Sequence, residues 1–291
     1  MRAWPILVLA LALSILIAAC AGHDWATPAD LFRAMAGAPD LRSRLLVEWR
    51  MPRVLAACLV GALLGLGGTV FQGVFRNPLA EPYLLGSAGG AALGATVALL
   101  VPLAAPQSFV LPVLAFAGAW GATMLVIGIS RVSGAVDAAG MLLAGVQTPS
   151  WPVLGLLAVI SAACLALTMV LAGRLDVLGL GETMATAFGL NVHRFIALAV
   201  LAGSVVVAAA VAFGGLVAFV GLASPHIARW LVGPLHRPLL PASALVGAIV
   251  VTLADAIARA ALPPAEIPLG LVTAIAGGPF FILLLARRLR T

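Results

Sequence analysis

The chain has no lysine: all 16 of its basic residues are arginine. That absence excludes one chemistry. A phosphate-binding P-loop needs a Lys after its glycine-rich turn to reach the β- and γ-phosphates of a nucleotide. Any ATP that drives this protein must therefore be bound by another subunit. Charge of either sign is scarce, at 9% of 291 residues, where a soluble domain carries about 25%. Cysteine is scarce too. Cys20, Cys58 and Cys164 lie far apart in apolar stretches with no CxxC pair, which reads as small buried hydrophobes. The four histidines are scattered and give no ligand set for a metal. With no paired carboxylates and no nucleophile–base set, an enzyme has no residues to rest on, and neither cofactor nor metal is expected.

What remains is apolar. Hydrophobic residues make up 63% of the chain and the mean hydropathy is +1.18. No soluble fold buries that much apolar surface, so the expected solvent is lipid, and the fold class is an all-α, polytopic membrane protein. The 31 glycines fit helices that pack closely without a hydrophobic force between them. The basic balance does not point to nucleic acid. The Arg residues stand singly or in small groups between apolar runs, as in the loops of membrane proteins.

Spans are apolar runs of about 17–25 residues, the length that crosses about 30 Å of hydrocarbon. They are read over Trp4–Ala21, Val54–Phe75, Pro152–Gly173, Phe195–Ala212, Leu239–Ala254 and Ile267–Ala286. Gly214 and Gly215 reverse the chain into a shorter helix from Leu216 to about Trp230. Between Glu81 and Arg131 no charge occurs for 49 residues, enough for two more spans. The total is about eight or nine, in one membrane domain of residues 1–291. Ile17-Ala18-Ala19-Cys20 also loosely resembles a lipoprotein cleavage box, so a cleaved first span is a rival reading.

The terminal Arg287, Arg288 and Arg290 favour a cytoplasmic C-terminus. Counting back, Arg229, Arg237 and the polar loop 174–194 fall inside, and Arg259 and Glu266 outside. Counting forward from an internal N-terminus puts His23–Arg53 outside and Arg76–Glu81 inside. The five Arg residues of His23–Arg53 break the positive-inside tendency.

Residues 71–86, FQGVFRNPLAEPYLLG, read as a helix stop and a new start. Asn77 before Pro78 is pushed out of the α region, and Pro82 suits a first helical turn. Glu81 faces the positive end of that next helix, and Arg76 closes the preceding one. Gly61 with Gly65, and Gly86, Gly90 and Gly94, put small residues on one helix face, for packing within the chain in preference to a dimer seam. Gly277, Gly278 and Pro279 are expected to break or kink the last span.

With Arg50-Met51-Pro52-Arg53 ahead of it, this motif resembles the permease family of iron-siderophore, haem and cobalamin importers, the FecCD type. LGLGETMATAFGL at 178–190, GGLVAFVGLASPHIARWLVGPLHRPLLPASALVGA at 214–248, and LADAIAR with AEIPLGLVTAIAGGPFF at 253–281 agree with it in order. The resemblance implies a homodimer in the bacterial cytoplasmic membrane, with two cytoplasmic ATPase subunits and an extracytoplasmic substrate-binding protein. It implies that loop 174–194 seats in the ATPase through Gly181, Glu182, Ala185 and Gly189. It implies that Arg50, Arg53 and Arg259 dock carboxylates of the binding protein. Anchoring to headgroups, with Asp255 and Arg259 as an i,i+4 pair, is the rival reading of those arginines. It implies that the last span, with Gly277, Gly278 and Pro279, lines the pore. A secondary transporter without an ATPase is the rival class, and it would want ionisable residues at mid-membrane.

Ten spans are expected from the resemblance, and the fifth is missing or truncated. Arg131 and Asp137 count as inside, while Thr148, Pro149 and Ser150 count as outside. Only 11 residues separate Asp137 from Pro149, about 17 Å of helix at 1.5 Å per residue. Ala138–Val146 is therefore expected to form at most a half-helix, and a transport-impaired member of the family is the alternative function.

Overall fold

Proline, glycine and short polar side chains set most helix ends. Residues 3–22, 25–37, 41–80, 146, 148–215, 217–262 and 266–288 are described by the computed structural model, with single positions at 97, 114, 117, 118 and 121. Among them the only regular structure is helical. The elements are α1 (Ala3–Cys20), α2 (Pro28–Met35), α3 (Leu41–Leu45), α4 (Met51–Phe75), α5 (Trp151–Gly179), α6 (Glu182–Ala187), α7 (Val192–Gly214), α8 (Val220–Val232), α9 (His236–Ala260) and α10 (Leu269–Arg288). A π turn, Leu46–Arg50, joins α3 to α4. Pro28, Pro52 and Pro152 stand in first turns, where the missing N–H has no partner to lose. Asn191 caps α7 by accepting from the Arg194 amide. Arg76, at φ +50°, closes α4 in the left-handed region.

α4 is the centre of the bundle. Buried residues make up 78% of its apolar window but only 28% of the windows of α1 and α5, so the latter two lie at the periphery of the described bundle. The central place rests on glycine. A methyl group on Gly61 would strike the carbonyl of Gly247 on α9, and one on Gly65 would strike that of Ser243. One on Gly68 would strike the Gly221 carbonyl on α8. Backbones thus approach each other directly, as expected of small residues between membrane helices. The Gly61–Gly65 face packs within the chain; Gly86, Gly90 and Gly94 lie outside the described residues.

Among the described residues five helices are long and apolar enough to cross a membrane: α1, the rod Leu41–Phe75, α5, α7 and α9. α10 is a shorter apolar helix. Of the two spans read between Glu81 and Arg131 only positions 97, 114, 117, 118 and 121 are described, and of the half-helix Ala138–Val146 only Val146.

Four expectations change. α5 runs on to Gly179, so the first turns of the 174–194 loop are helix; its 29 residues measure about 44 Å, well beyond the hydrocarbon. The His23–Arg53 stretch contains α2 and α3. α8 starts at Val220, after Phe219 at φ +63°, rather than at Leu216. α10 is unbroken through Gly277, Gly278 and Pro279, which removes the expected break. Gly277 has a steric role instead: a methyl group there would strike the Phe219 side chain.

Candidate functional site

The charged residues gather at the two ends of the bundle. At one end α1 finishes with carbonyls that its own helix leaves open, a negative helix terminus; the Ala26 amide reaches one of them, Cys20 O, at 2.9 Å. Arg259 of α9 donates from Nη2 to Ala18 O (2.9 Å) and from Nη1 to Ala21 O (2.6 Å). Arg50 donates to Ala19 O and Cys20 O, each at 3.3 Å. Two guanidinium groups therefore cap four successive carbonyls. The Nε of Arg259 donates to Asp255 Oδ2 (2.8 Å), and Asp255 has no exposed surface. Arg53 reaches the other Asp255 oxygen at 3.1 Å and grips Glu266 with both terminal nitrogens, at 3.0 and 2.8 Å. A planar fork on a carboxylate is the geometry that arginine makes and lysine cannot.

Of the three arginines expected to dock a partner, Arg259 is thus buried and committed to the fold. Its i,i+4 pair with Asp255 is present, as an internal contact rather than a headgroup anchor. Arg50 is half-buried against α1. Arg53 differs, because its partner Glu266 is about half exposed. Arg50 and Arg53, two of the five arginines read as external, therefore have partners within the chain, and the Asp255 and Glu266 contacts were invisible because they join residues more than 200 positions apart.

The other end holds the two loops read as cytoplasmic. Arg76, after α4, donates to Glu182 of α6 at 2.7 Å, which places the end of α4 beside the segment following α5. Asn77 Oδ1 accepts from the Leu79 amide, and Pro78 sits in that turn; Glu81 and Pro82 lie outside the described residues. Gly181 (φ +101°) and Gly189 (φ +80°) frame α6. Neither has a neighbour within 4 Å of its missing methyl, so backbone conformation fixes them and close packing within the chain does not. Ala185 is fully buried, while Glu182 is exposed on the same helix. Met184 and Phe188, which sequence reading passed over, are one turn apart and both more than half exposed. Their i,i+4 spacing was the available signal.

Behind this surface lie two polar contacts that sequence reading also missed. Pro225 in α8 has no N–H for the carbonyl of Gly221 four residues earlier. Gln72 of α4 supplies it: Nε2 donates to Gly221 O and Leu222 O, each at 3.3 Å. Arg229 in turn donates to Gln72 Oε1 at 2.7 Å. At the start of α9 the backbone N–H of His236 donates to Asp176 Oδ1 (2.9 Å), and its Nδ1 lies 2.6 Å from the same oxygen. A methyl group on Gly73 would crowd His236 Nε2. Among the described residues no group of three or more His, Cys, Asp or Glu could hold a metal ion.

A family model described as the FecCD transport family matches residues 9–148 and 145–287. The chain belongs to the FecCD transport family. It is 34% identical to the Fe(3+)-citrate import system permease protein YfmE of Bacillus subtilis (strain 168), in an alignment of 313 positions covering 96% of this chain and 94% of that protein. It is 36% identical to the vitamin B12 import system permease protein BtuC of Salmonella typhi, over 316 positions, 96% of this chain and 93% of that protein. A solved inward-facing structure described as a metal-chelate type ABC transporter superposes with a TM-score of 0.71 at 29% identity, covering 98% of both chains. A FecCD-type chain is a multi-pass ABC-importer permease, so the fold class read from composition holds. The ends of the bundle are therefore surfaces of a permease and not of an enzyme.

Proposed function

We propose that this chain forms the translocation path for a metal chelate of the iron-siderophore, haem or cobalamin class, in a bacterial cytoplasmic membrane. Two copies pair, cytoplasmic ATPase subunits bind at α6, and an extracytoplasmic binding protein delivers the chelate. The relatives carry this reading: one is the permease protein of a ferric-citrate import system and another that of a vitamin B12 import system. The α6 surface supports the ATPase contact, since exposed Met184 and Phe188 flank exposed Glu182. Arg53 supports delivery, because an incoming carboxylate can take over its fork from the half-exposed Glu266. Arg50 lies beside it, and Arg259 acts by holding Asp255. α10, with Gly277, Gly278 and Pro279, lines the path. The test is co-expression with the cognate ATPase and binding protein. ATP-dependent uptake of a chelate into vesicles supports the reading, and a chain that copurifies with neither partner sinks it.

A second reading is favoured by connectivity. α4 ends beside Glu182, and α5 ends just ahead of it, so α5 begins at the opposite end of the bundle. α4 thus ends and α5 begins at opposite ends of the bundle, and residues 77–150 connect them. The sequence holds two full uncharged spans there and only 11 residues between Asp137 and Pro149. The two segments of the family match meet at 145–148. An alignment of 316 positions that uses 96% of 291 residues, about 279, leaves about 37 positions with no residue of this chain. These observations support a fifth span reduced to a half-helix and impaired transport. Labelling of Ser150→Cys from outside and Thr183→Cys from inside, without uptake, is the expected result. Efficient uptake by the 291-residue chain with its partners overturns it.

A further inference from the structure

The segment between the first two spans carries large apolar side chains that no described residue covers. Trp25 is 63% exposed, Phe32 76%, Leu41 74%, Leu45 49% and Trp49 63%. Leu41, Leu45 and Trp49 recur every fourth residue and so share one side of the rod that leads into α4. The opposite side is packed: Ala26, Leu31, Ala34 and Leu46 form a small cluster with Ala19 at the end of α1. α2 is firmly begun, since Thr27 and Asp30 form a reciprocal capping box. The Thr27 amide and hydroxyl hold the Asp30 carboxyl below the usual carboxylate range. The exposed apolar side chains are therefore on an ordered platform.

Depth follows from length. The rod Leu41–Phe75 has 35 residues, about 52 Å, whereas the hydrocarbon is about 30 Å and the whole bilayer about 40–45 Å. The 25 residues of α4 fill the hydrocarbon alone at about 37 Å. Leu41–Arg50 is thus lifted to the headgroup layer, the depth at which Trp is enriched. The charges suit that layer. Arg42 is engaged by Trp25 O (2.7 Å) and Asp30 (3.6 Å). Arg33 and Arg44 are exposed, and among the described residues neither forms an ion pair. Anionic phosphates complement them.

We propose that residues 25–37 and 41–49 form an interfacial foot that lies in the phospholipid headgroup layer, with Trp25, Phe32, Leu41, Leu45 and Trp49 inserted and Arg33 and Arg44 on lipid phosphate. A docking face for a soluble protein is the competing occupant. The test uses the full chain in phosphatidylcholine–phosphatidylglycerol vesicles, with Trp25 or Trp49 as the sole tryptophan and the others changed to Phe. Lipids brominated near the carbonyl should quench each at least about twofold more than lipids brominated at the chain end, and aqueous iodide should quench weakly. Strong iodide quenching with no bromine effect overturns the proposal in favour of a water-facing docking surface. Should those substitutions impair folding, nitroxide labels at Leu41→Cys and Leu45→Cys, with the native cysteines changed to Ala, give a second readout. Collisions with oxygen exceeding those with an aqueous nickel chelate support the foot, and the reverse order overturns it.

Discussion

The Nη2 of Arg259 donates to the carbonyl of Ala18, 2.9 Å away and 241 positions earlier. The contact ties the first helix to the ninth through its own terminus. Removing it leaves Asp255 buried with one partner and two carbonyls of α1 uncapped. Breaking a buried pair costs about 3–5 kcal/mol, and Arg53 still holds Asp255, so Arg259→Ala should fall near the lower figure. Thermal unfolding in detergent, with protease access to the 21–27 segment, measures it. Arg259→Lys should rescue little, because one ammonium cannot reach three acceptors. Full stability in Arg259→Ala would show that the cap is incidental.

Gly65→Ala and Gly68→Ala should each destabilise the bundle by about 1–3 kcal/mol or more, because the new methyl group meets backbone that has no rotamer to change. Gly155→Ala on the peripheral α5 meets nothing within 4 Å. It should be neutral, or stabilising by up to about 1 kcal/mol. Equal effects at the three positions, read as unfolding midpoints, would remove the packing argument.

Arg76 and Glu182 are both exposed, and such a pair contributes about 0–1 kcal/mol. Arg76→Ala and Glu182→Ala should therefore leave the midpoint unchanged. Met184→Ser and Phe188→Ser should weaken capture of the ATPase subunit about tenfold or more, as apolar anchors of an interface do. Gly189→Ala should act through the fold, since an L residue at its positive φ costs about 1–2 kcal/mol. Unaltered ATPase capture by both Met184 and Phe188 variants would place the contact elsewhere.

Purified alone, the chain should bind and hydrolyse no ATP, for want of any lysine. Hydrolysis that follows the chain through two orthogonal purifications would be decisive against this.

Charge reversal at Arg53 should lower affinity for the binding protein, and lower salt should tighten the complex. Glu266→Gln should tighten it as well, by freeing the fork. An affinity that ignores salt and both substitutions leaves docking without a residue.

Local signals were legible where chemistry is local. Asn77-Pro78 and Gly215 each mark a helix boundary from their own conformational limits, and hydropathy marks the described spans to within a turn or two, whereas the Thr27–Asp30 cap of α2 went unread. The long-range pairings were not legible. Gln72 meets Gly221 only because Pro225 leaves a carbonyl open, and nothing near Gln72 encodes that. Arg259 was read as a surface residue because an arginine near a helix end usually reaches water; here the end of α1 is closer.

The glycine contacts of α4 also bear on motion. Where one backbone rests on another, no side-chain torsion lies between them to take up sliding. α4, α8 and α9 can then turn together as a block but cannot shear past one another, and reorientation of the path falls to the outer helices. Spin-label distances between α4 and α9 should stay constant across the transport cycle, while those from α4 to α5 or α10 change.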